Sequence, residues 1–600
     1  MRYLALAVAA TLVAAGVSVG EVPLIAEDGE SPYVIVYPAE GPPVVETAAE
    51  DLQHHLEEMT GARLPIQTDE EPLPGNAILL GNNRFLNELG VEPDWERLGD
   101  EGYHIRTNEP HLVIVGGPVR GTAYGVYGLL DGHLGCRWLT PEVSHVPERD
   151  RLELLDIDET VVPPLRYRES FWVEASDPMW NLRNRLNGAW ITSPQEEHGG
   201  GFSYEGVHTF YPFVPPDEYF DDHPEYYSLI DGERRWEHAQ LCLTNEEVLD
   251  IVVEQVRQRF EEVPEADVVS VSQNDWRNPC QCEACQAIAE EEGSEAGPLL
   301  HFVNQVADAI REDYPDRYVG TLAYQYTRTP PENIVPRDNV AIRLCSIECC
   351  FSHTLEECDA GQNEAFAEDI RGWRELTDNL FIWDYTTNFS HYHQPHPNLR
   401  SLRPNIRFFV EHDVQGIFEQ GNYNSTGHGE MAPLRNYLLA RFLWDPERDY
   451  DTALTEFLDL YYGDAAPHVR EYIEFTHDRA EEGNHHFYFN APPPVDEYFR
   501  GDFVERAHAL FDEAEAAVED DPAYMARVRI LRLPVLYVEI FQALEAGPEQ
   551  TDAARAREAI DAFFVLVDEF GIDLLNEGTP MDEFRERCMF SEVYRAGAGS

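Results

Sequence analysis

The sequence predicts an α/β protein: an irregular (β/α)8 TIM barrel preceded by a small α/β domain and followed by a helical C-terminal region. Three observations predict it. Short β-branched or aromatic runs recur between residue 165 and about residue 444, and each ends in polar residues. Ahead of them, strand-like runs alternate with helical ones. Beyond about residue 446, apolar residues recur at three- and four-residue spacing with Arg and Glu on the other faces. With 600 residues and 43% hydrophobic content, the chain has apolar surface for several cores.

Residues 1–20 read as an export signal. Arg2 supplies the positive end, an apolar run covers 3–17, and Ser18-Val19-Gly20 offers small residues for cleavage. The mature protein is expected to be secreted or periplasmic; an uncleaved anchor is the alternative. Residues 21–160 form the first unit. Runs at 33–37, 77–81 and 111–116 are strand-like, 47–60 has helical spacing closed by Gly61, and 121–134 is a glycine-bearing helix. Val161-Val162-Pro163-Pro164 reads as a linker.

Residues 161–450 carry the barrel pattern, with strands expected at 166–170, 268–273, 318–323, 340–345, 380–383 and 414–418. Buried strands with polar groups at their C-terminal ends are the mark of this barrel, whose active site lies at that end. Between 326 and 340 only a Pro-rich loop is available, too short for a crossover helix, so the barrel is irregular there. Residues 451–600 are helical, with expected helices at 456–462, 466–481, 503–519, 525–544 and 553–570.

Asp and Glu number 112 against 43 Lys and Arg, a formal net charge of −69, and no lysine occurs. Without lysine there is no P-loop phosphate site, no kinase-type lysine and no Schiff base. So negative a field argues against nucleic acid or an anionic membrane as partner. The acid excess matches adaptation to high salt, where at about 1 M the Debye length falls near 3 Å. Drift in a GC-rich genome is the alternative; it accounts for Arg in place of Lys but not for the acidic surplus.

The strand ends supply four carboxylates, Asp275, Glu348, Asp384 and Glu419. Glycosidic cleavage needs an acid for the leaving oxygen and a second group for the oxocarbenium-like centre, and paired carboxylates fill both roles. Sugar faces stack on aromatic rings and hydroxyls are read by polar side chains. Asn274, Trp276, Tyr324, Tyr326, Trp383, Tyr385, Asn388 and Tyr423 sit at or after the same strand ends, and His208 lies on a loop that, with Gly199-Gly200-Gly201, can close over substrate. The partner expected is a glycan, with no nucleic acid and no membrane beyond export. No cofactor is expected and no metal ligand is assigned.

Ten cysteines are present. Cys280-x-Cys282-x2-Cys285 follows Asp275, and Cys345, Cys349, Cys350 and Cys358 surround Glu348. The first cluster can chelate zinc with Cys358 or a His as fourth ligand; in an exported chain, disulfides pinning these loops are the favoured reading.

Several stretches together resemble a known family: GTAYGVYGLLDGHLGCRWLTP (121–141), YFDDHPEYYSLIDGERR (219–235), QLCLTN (240–245), SVSQNDWRNPCQCEAC (270–285), LAYQYTRTPP (322–331), RLCSIECCFSH (343–353), FIWDYTTNFSHY (381–392) and FEQGNYNSTGHGEMAPLRNYLLARFLWDP (418–446). The chain resembles bacterial DUF4838-type proteins, placed with the GH163 endo-β-N-acetylglucosaminidases. Its first unit resembles the domain that precedes GH20 hexosaminidase and α-glucuronidase barrels. The resemblance implies attack on β-linked N-acetylglucosamine, retaining, with the substrate acetamide as nucleophile. Asn274-Asp275 would then orient the acetamide with Glu348 across the site, either Asp275 or Glu348 being the acid. An exo-hexosaminidase, an α-glucuronidase-like enzyme using Arg277, Arg328 or Arg343, and a non-catalytic glycan-binding surface protein are the other readings.

Overall fold

The computed structural model describes residues 23–192, 194–425 and 429–597. The expected export signal lies outside these residues. No helix among the described residues is long and apolar enough to cross a membrane.

The first unit is a six-stranded sheet. Its strands are β1 Val34–Tyr37, β2 Ile66–Thr68, β3 Ala77–Leu80, β4 Tyr103–Asn108, β5 His111–Gly116 and β6 Asp158–Val161. Their order is β6-β4-β5-β3-β1-β2, with β4 antiparallel to both neighbours and the rest parallel. Part of the expected linker therefore belongs to this sheet as its edge strand. Helix α1, Pro43–Thr60, buries Val44, Val45, Ala48, Leu52, Leu56 and Met59. It starts earlier than its periodicity suggests because proline suits the first helical turn, where its missing N–H goes unneeded. Gly61 ends it at φ 73°, donating its N–H to Glu57. Helix α2, Gly121–Gly128, needs its glycines: a Cβ at Gly125 would stand 2.6 Å from Ile114, so the helix lies directly on β5.

The second unit is a curled, all-parallel sheet of seven strands. They are β7 Tyr167–Phe171, β8 Tyr204–Glu205, β9 Val268–Ser270, β10 Tyr318–Ala323, β11 Val340–Cys345, β12 Leu380–Tyr385 and β13 Gly416–Gln420. The order β7-β13-β12-β11-β10-β9-β8 closes the first strand onto the last. The two-residue β8 leaves the other side open, spanned by the Gly188–Phe202 bridge and the Tyr167–Phe202 ring contact. Seven strands stand where the barrel pattern has eight. β10 and β11 pair directly across the Pro-rich loop, as its shortness requires.

Helices α3 Glu246–Glu262, α4 Ala296–Ile310, α5 Gly361–Leu376, α6 Leu399–Glu411 and α7 Ala432–Trp444 follow β8, β9, β11, β12 and β13 in turn, with none after β10. The C-terminal region is helical, from α8 Tyr450–Tyr462 and α9 Ala466–Glu482 to α10 Phe503–Ala517, α11 Pro522–Ile530, α12 Leu533–Ala546, α13 Ala553–Phe570 and α14 Met581–Met589. The single helix expected at 525–544 is two, because Pro534 cannot sit in a helix interior and opens α12 instead.

Buried ion clusters join the units. Glu101 of the first unit takes Arg120 and, across the junction, Arg168 of β7, each at 2.6 Å. Burial alone would raise its carboxyl, but the two guanidiniums hold it at about 2. Inside the curl, Arg343 lies 3.5 Å from the centre of the Tyr204 ring and faces Tyr167, Trp190, Trp383 and Phe418. Glu169 beside it accepts from the Tyr167 hydroxyl and from the N–H groups of Trp190 and Ile191.

Candidate active site

The C-terminal ends of the strands open into a cavity of about 530 Å³. Tyr324 and Gln325 come from the end of β10, Cys345 and Ile347 from β11, Trp383 and Tyr385 from β12, and Gln420 from β13. Asp275 enters from the loop after β9 and His208 from the loop after β8. The far wall is made by Phe389, Ser390 and three residues of the C-terminal region, Phe489, Asn490 and Glu577.

Asp275 is presented by a loop whose two preceding residues are anchored by hydrogen bonds. Gln273 donates to Leu322 O and Thr327 Oγ1, and Asn274 is held by the backbone of Tyr211 and Ala239. The Asp275 carboxylate remains open to solvent and accepts the Tyr324 hydroxyl at 2.9 Å. His208 Nε2 stands 3.8 Å from it. His208 Nδ1 lies 2.6 Å from Gln273 O; a carbonyl only accepts, so Nδ1 carries the proton. His208 at φ 54° and Gln325 at φ 50° are both in the left-handed region, a cost that clusters at functional sites.

Glu577 enters the same cavity from the turn Asn576-Glu577-Gly578-Thr579-Pro580 between α13 and α14. Asn576 Oδ1 accepts the N–H groups of Gly578 and Thr579, which closes the turn. Glu577 N–H donates to Phe389 O and its carbonyl accepts from Asn424, so the turn is pinned to barrel loops. Tyr423 donates to its carboxylate at 3.2 Å. Partial burial and the charge of Asp275 push the Glu577 carboxyl up, against the Tyr423 bond. Two carboxylates thus share one cavity.

The other expected carboxylates do not reach it. The chain continues in β structure two residues beyond the apolar runs, so Asp384 and Glu419 lie within β12 and β13. Side chains alternate there, and with Trp383, Tyr385 and Gln420 in the cavity, Asp384 and Glu419 face the helix layer. Glu419 is in register with Ser170, which bonds Asn436 of α7. Asp384 accepts from the Ser346 hydroxyl and the Tyr385 N–H; burial raises it to about 6. Glu419 is buried with neither oxygen hydrogen-bonded, and burial, then the Asp384 charge, push it well above the ordinary value. Glu348 is turned aside by Arg328 at 3.0 Å and Arg277 at 3.8 Å, and only its neighbour Ile347 lines the cavity.

Among the expected binding residues, His208, Tyr324, Trp383 and Tyr385 line the cavity, and Tyr423 reaches it through Glu577. Asn274 does not: its amide is consumed by backbone. Trp276 donates to Ala239 O and packs on Tyr211 and His238. Tyr326 lines a separate crevice with Leu241 and Pro298. Asn388 is spent on Ser390 N–H and Pro492 O. The Gly199–Gly201 loop lines a crevice at the junction of the two units, where Arg120 bonds Gly199 O. Sequence reasoning missed Glu577; the Asn-Glu-Gly-Thr-Pro interruption in a helical stretch was its only signal.

The expected disulfides are absent: all ten cysteines are free. Cys280, Cys282 and Cys285 instead gather with Cys242, and Cys350 and Cys358 with His353 and His486. Each set offers four donor atoms close enough to hold a metal ion.

Comparison with known proteins adds the following. The family model described as a domain of unknown function, DUF4838, matches residues 138–474. The model for the N-terminus of glycosyl hydrolase family 67 matches residues 26–129. No curated protein matches the sequence. Among solved structures, a family GH115 4-O-methyl-α-glucuronidase, BtGH115A, described as specific for decorated arabinogalactans, is similar with TM-score 0.58 at 12% identity, over 91% of this chain and 77% of that one. A family 89 glycoside hydrolase from Clostridium perfringens, in complex with 2-acetamido-1,2-dideoxynojirimycin, is similar with TM-score 0.50 at 11% identity, over 88% of this chain and 64% of that one. At these identities the likeness is one of fold.

Proposed function

This chain belongs to the DUF4838 family, and on that premise we propose that it is a glycoside hydrolase whose reaction centre is the cavity between Asp275 and Glu577. The observation that carries the reading is this pair: two carboxylates lining one aromatic-lined cavity, at the end of the sheet where such folds do chemistry. Glycan-cleaving neighbours of the same fold support it.

Glu577 is the general acid. Its raised carboxyl holds a proton longer than a free glutamate and delivers it to the leaving oxygen. Asp275, exposed and supported by Tyr324, is its partner carboxyl group. Trp383, Tyr385, Phe389 and Phe489 offer faces for sugar rings. The substrate is a glycan with β-linked N-acetylglucosamine, cleaved with retention, Asp275 orienting the acetamide that closes on the anomeric carbon. The protein acts outside the cytoplasm, after export directed by residues 1–20, and at high salt.

A uronide substrate is less well served. Its carboxylate calls for a cation, yet no arginine lines the cavity among the described residues. Arg328 is spent on Glu348 and Asp369, and Arg343 is buried in the curl.

The test is release of sugar from a panel of N-acetylglucosaminides, N-glycans and uronides across a salt series. Wild type is expected to cleave the N-acetylglucosaminides and Asp275→Asn to lose that activity. Release from uronides alone moves the substrate class. Glycan binding without release from any of them makes the protein a glycan-binding one.

A further inference from the structure

Two side-chain sets outside the reaction centre have the composition and spacing of metal cages. In the first, the Sγ atoms of Cys242, Cys280, Cys282 and Cys285 lie within 4.8 Å of one another. In the second, so do the Sγ atoms of Cys350 and Cys358 and ring nitrogens of His353 and His486. We propose that both are structural zinc sites, one of four thiolates and one of two thiolates and two imidazoles, and that they staple the walls of the cavity.

The closest ligand–ligand distances match the edges of a tetrahedral site. A zinc–sulfur bond of about 2.3 Å gives an S–S edge of about 3.8 Å, and zinc–nitrogen bonds of about 2.0 Å give an S–N edge of about 3.5 Å. Cys242 and Cys282 Sγ are 3.7 Å apart. Cys350 Sγ is 3.3 Å from His353 Nδ1, and Cys358 Sγ is 3.7 Å from His486 Nδ1. Thiolate and imidazole donors in tetrahedral sets select zinc over hard cations.

The surroundings are those of ligands held for a metal. Cys280 Sγ faces the Leu229 N–H at 3.3 Å and Arg234 Nη1 at 3.7 Å, donors that offset thiolate charge. Thr244 Oγ1 stands 3.4 Å from Cys285 Sγ. In the second set, His486 turns its Nε2 to Asp359 at 3.2 Å, and Asn484 steadies that carboxylate. A carboxylate on the far nitrogen fixes which nitrogen faces the metal. Loading displaces the thiol protons, four at the first site and two at the second, so binding weakens in acid.

Each site bridges segments far apart in sequence that hydrogen bonds already bring together, Trp276 donating to Ala239 O at the first and Phe351 N–H to Phe487 O at the second. The four-cysteine set ties the loop carrying Asp275 to the strand-poor stretch around Cys242. The mixed cysteine–histidine set ties the loop after β11, which supplies Ile347, to residue 486, three positions before Phe489. Zinc would thereby hold the C-terminal wall against the barrel.

Elemental analysis of the full-length protein, purified without chelator, reads this directly. The expected content is two zinc per chain, falling to one in Cys285→Ser and to one in His486→Gln. Because either variant can fail to fold, wild type is also acid-released and alkylated without reductant, then weighed intact. Ten alkylated thiols, with zinc in the released fraction, support the proposal. No zinc, iron in its place, or disulfides among these cysteines overturns it. One zinc per chain, insensitive to one of the two variants, overturns that variant's site.

Discussion

The cavity face and the helix face of one sheet end hold two carboxylate pairs in opposite circumstances. On the cavity face, Asp275 and Glu577 are reached by solvent and supported by tyrosine hydroxyls. On the helix face, Asp384 and Glu419 occupy facing register positions on β12 and β13, sealed from water. Both Asp384 and Glu419 are held toward neutrality, as a catalytic acid is, yet neither opens into the cavity. A raised carboxyl therefore marks burial first, and it marks chemistry only where the group also meets a cavity.

The largest contrast is expected in turnover. Glu577→Gln should lose about 10²–10⁴-fold in kcat/KM, the range for a general acid, while Glu419→Gln stays within about fivefold of wild type. Equal losses from both, measured on the same glycan, would erase the distinction between the faces.

Next comes stability against pH. The folded protein keeps the Asp384 proton up to about 6, whereas the unfolded chain releases it near 3.8. This contribution is full below about 3.8 and is lost as pH rises to about 6, a change of about 3 kcal/mol. Asp384→Asn, whose amide oxygen can still accept from Ser346 and Tyr385, should gain stability relative to wild type over that interval. Urea titrations at successive pH values check it; parallel curves would show that burial of Asp384 carries no such penalty.

The smallest effect sharpens the cavity side. The Tyr423 bond lowers the Glu577 carboxyl. Tyr423→Phe removes it, so the alkaline limb of the kcat/KM profile should move to higher pH with its plateau little changed. A limb that stays in place would separate Glu577 from the acid role.

Much of this was legible along the chain, and the misses have one cause. Val268, Tyr318, Val340 and Leu380 open apolar runs that are strands because a parallel ladder buried on both faces needs continuous β-branched and aromatic side chains. Asp275 was readable as a site residue because the ladder ends before it, leaving it in a loop. Asp384 and Glu419 were misplaced by strands that run two residues past their apolar stretches, since pleat alternation is decided by ladder length and composition says nothing of it. Three members of the four-cysteine set are neighbours in sequence and announce themselves. Cys242 lies 38 residues earlier, and only the fold brings it to them.

Local patterning by itself determined the layers, most of the barrel strands, the acidic lysine-free composition and one carboxylate of the cavity, because periodicity and turn chemistry act within a few residues. Tertiary structure alone decided which carboxylate faces Asp275. Glu577 arrives from some three hundred residues away, on a turn held by Phe389, Ser390 and Asn424, and no short-range rule couples positions that meet only when two packed layers close on each other.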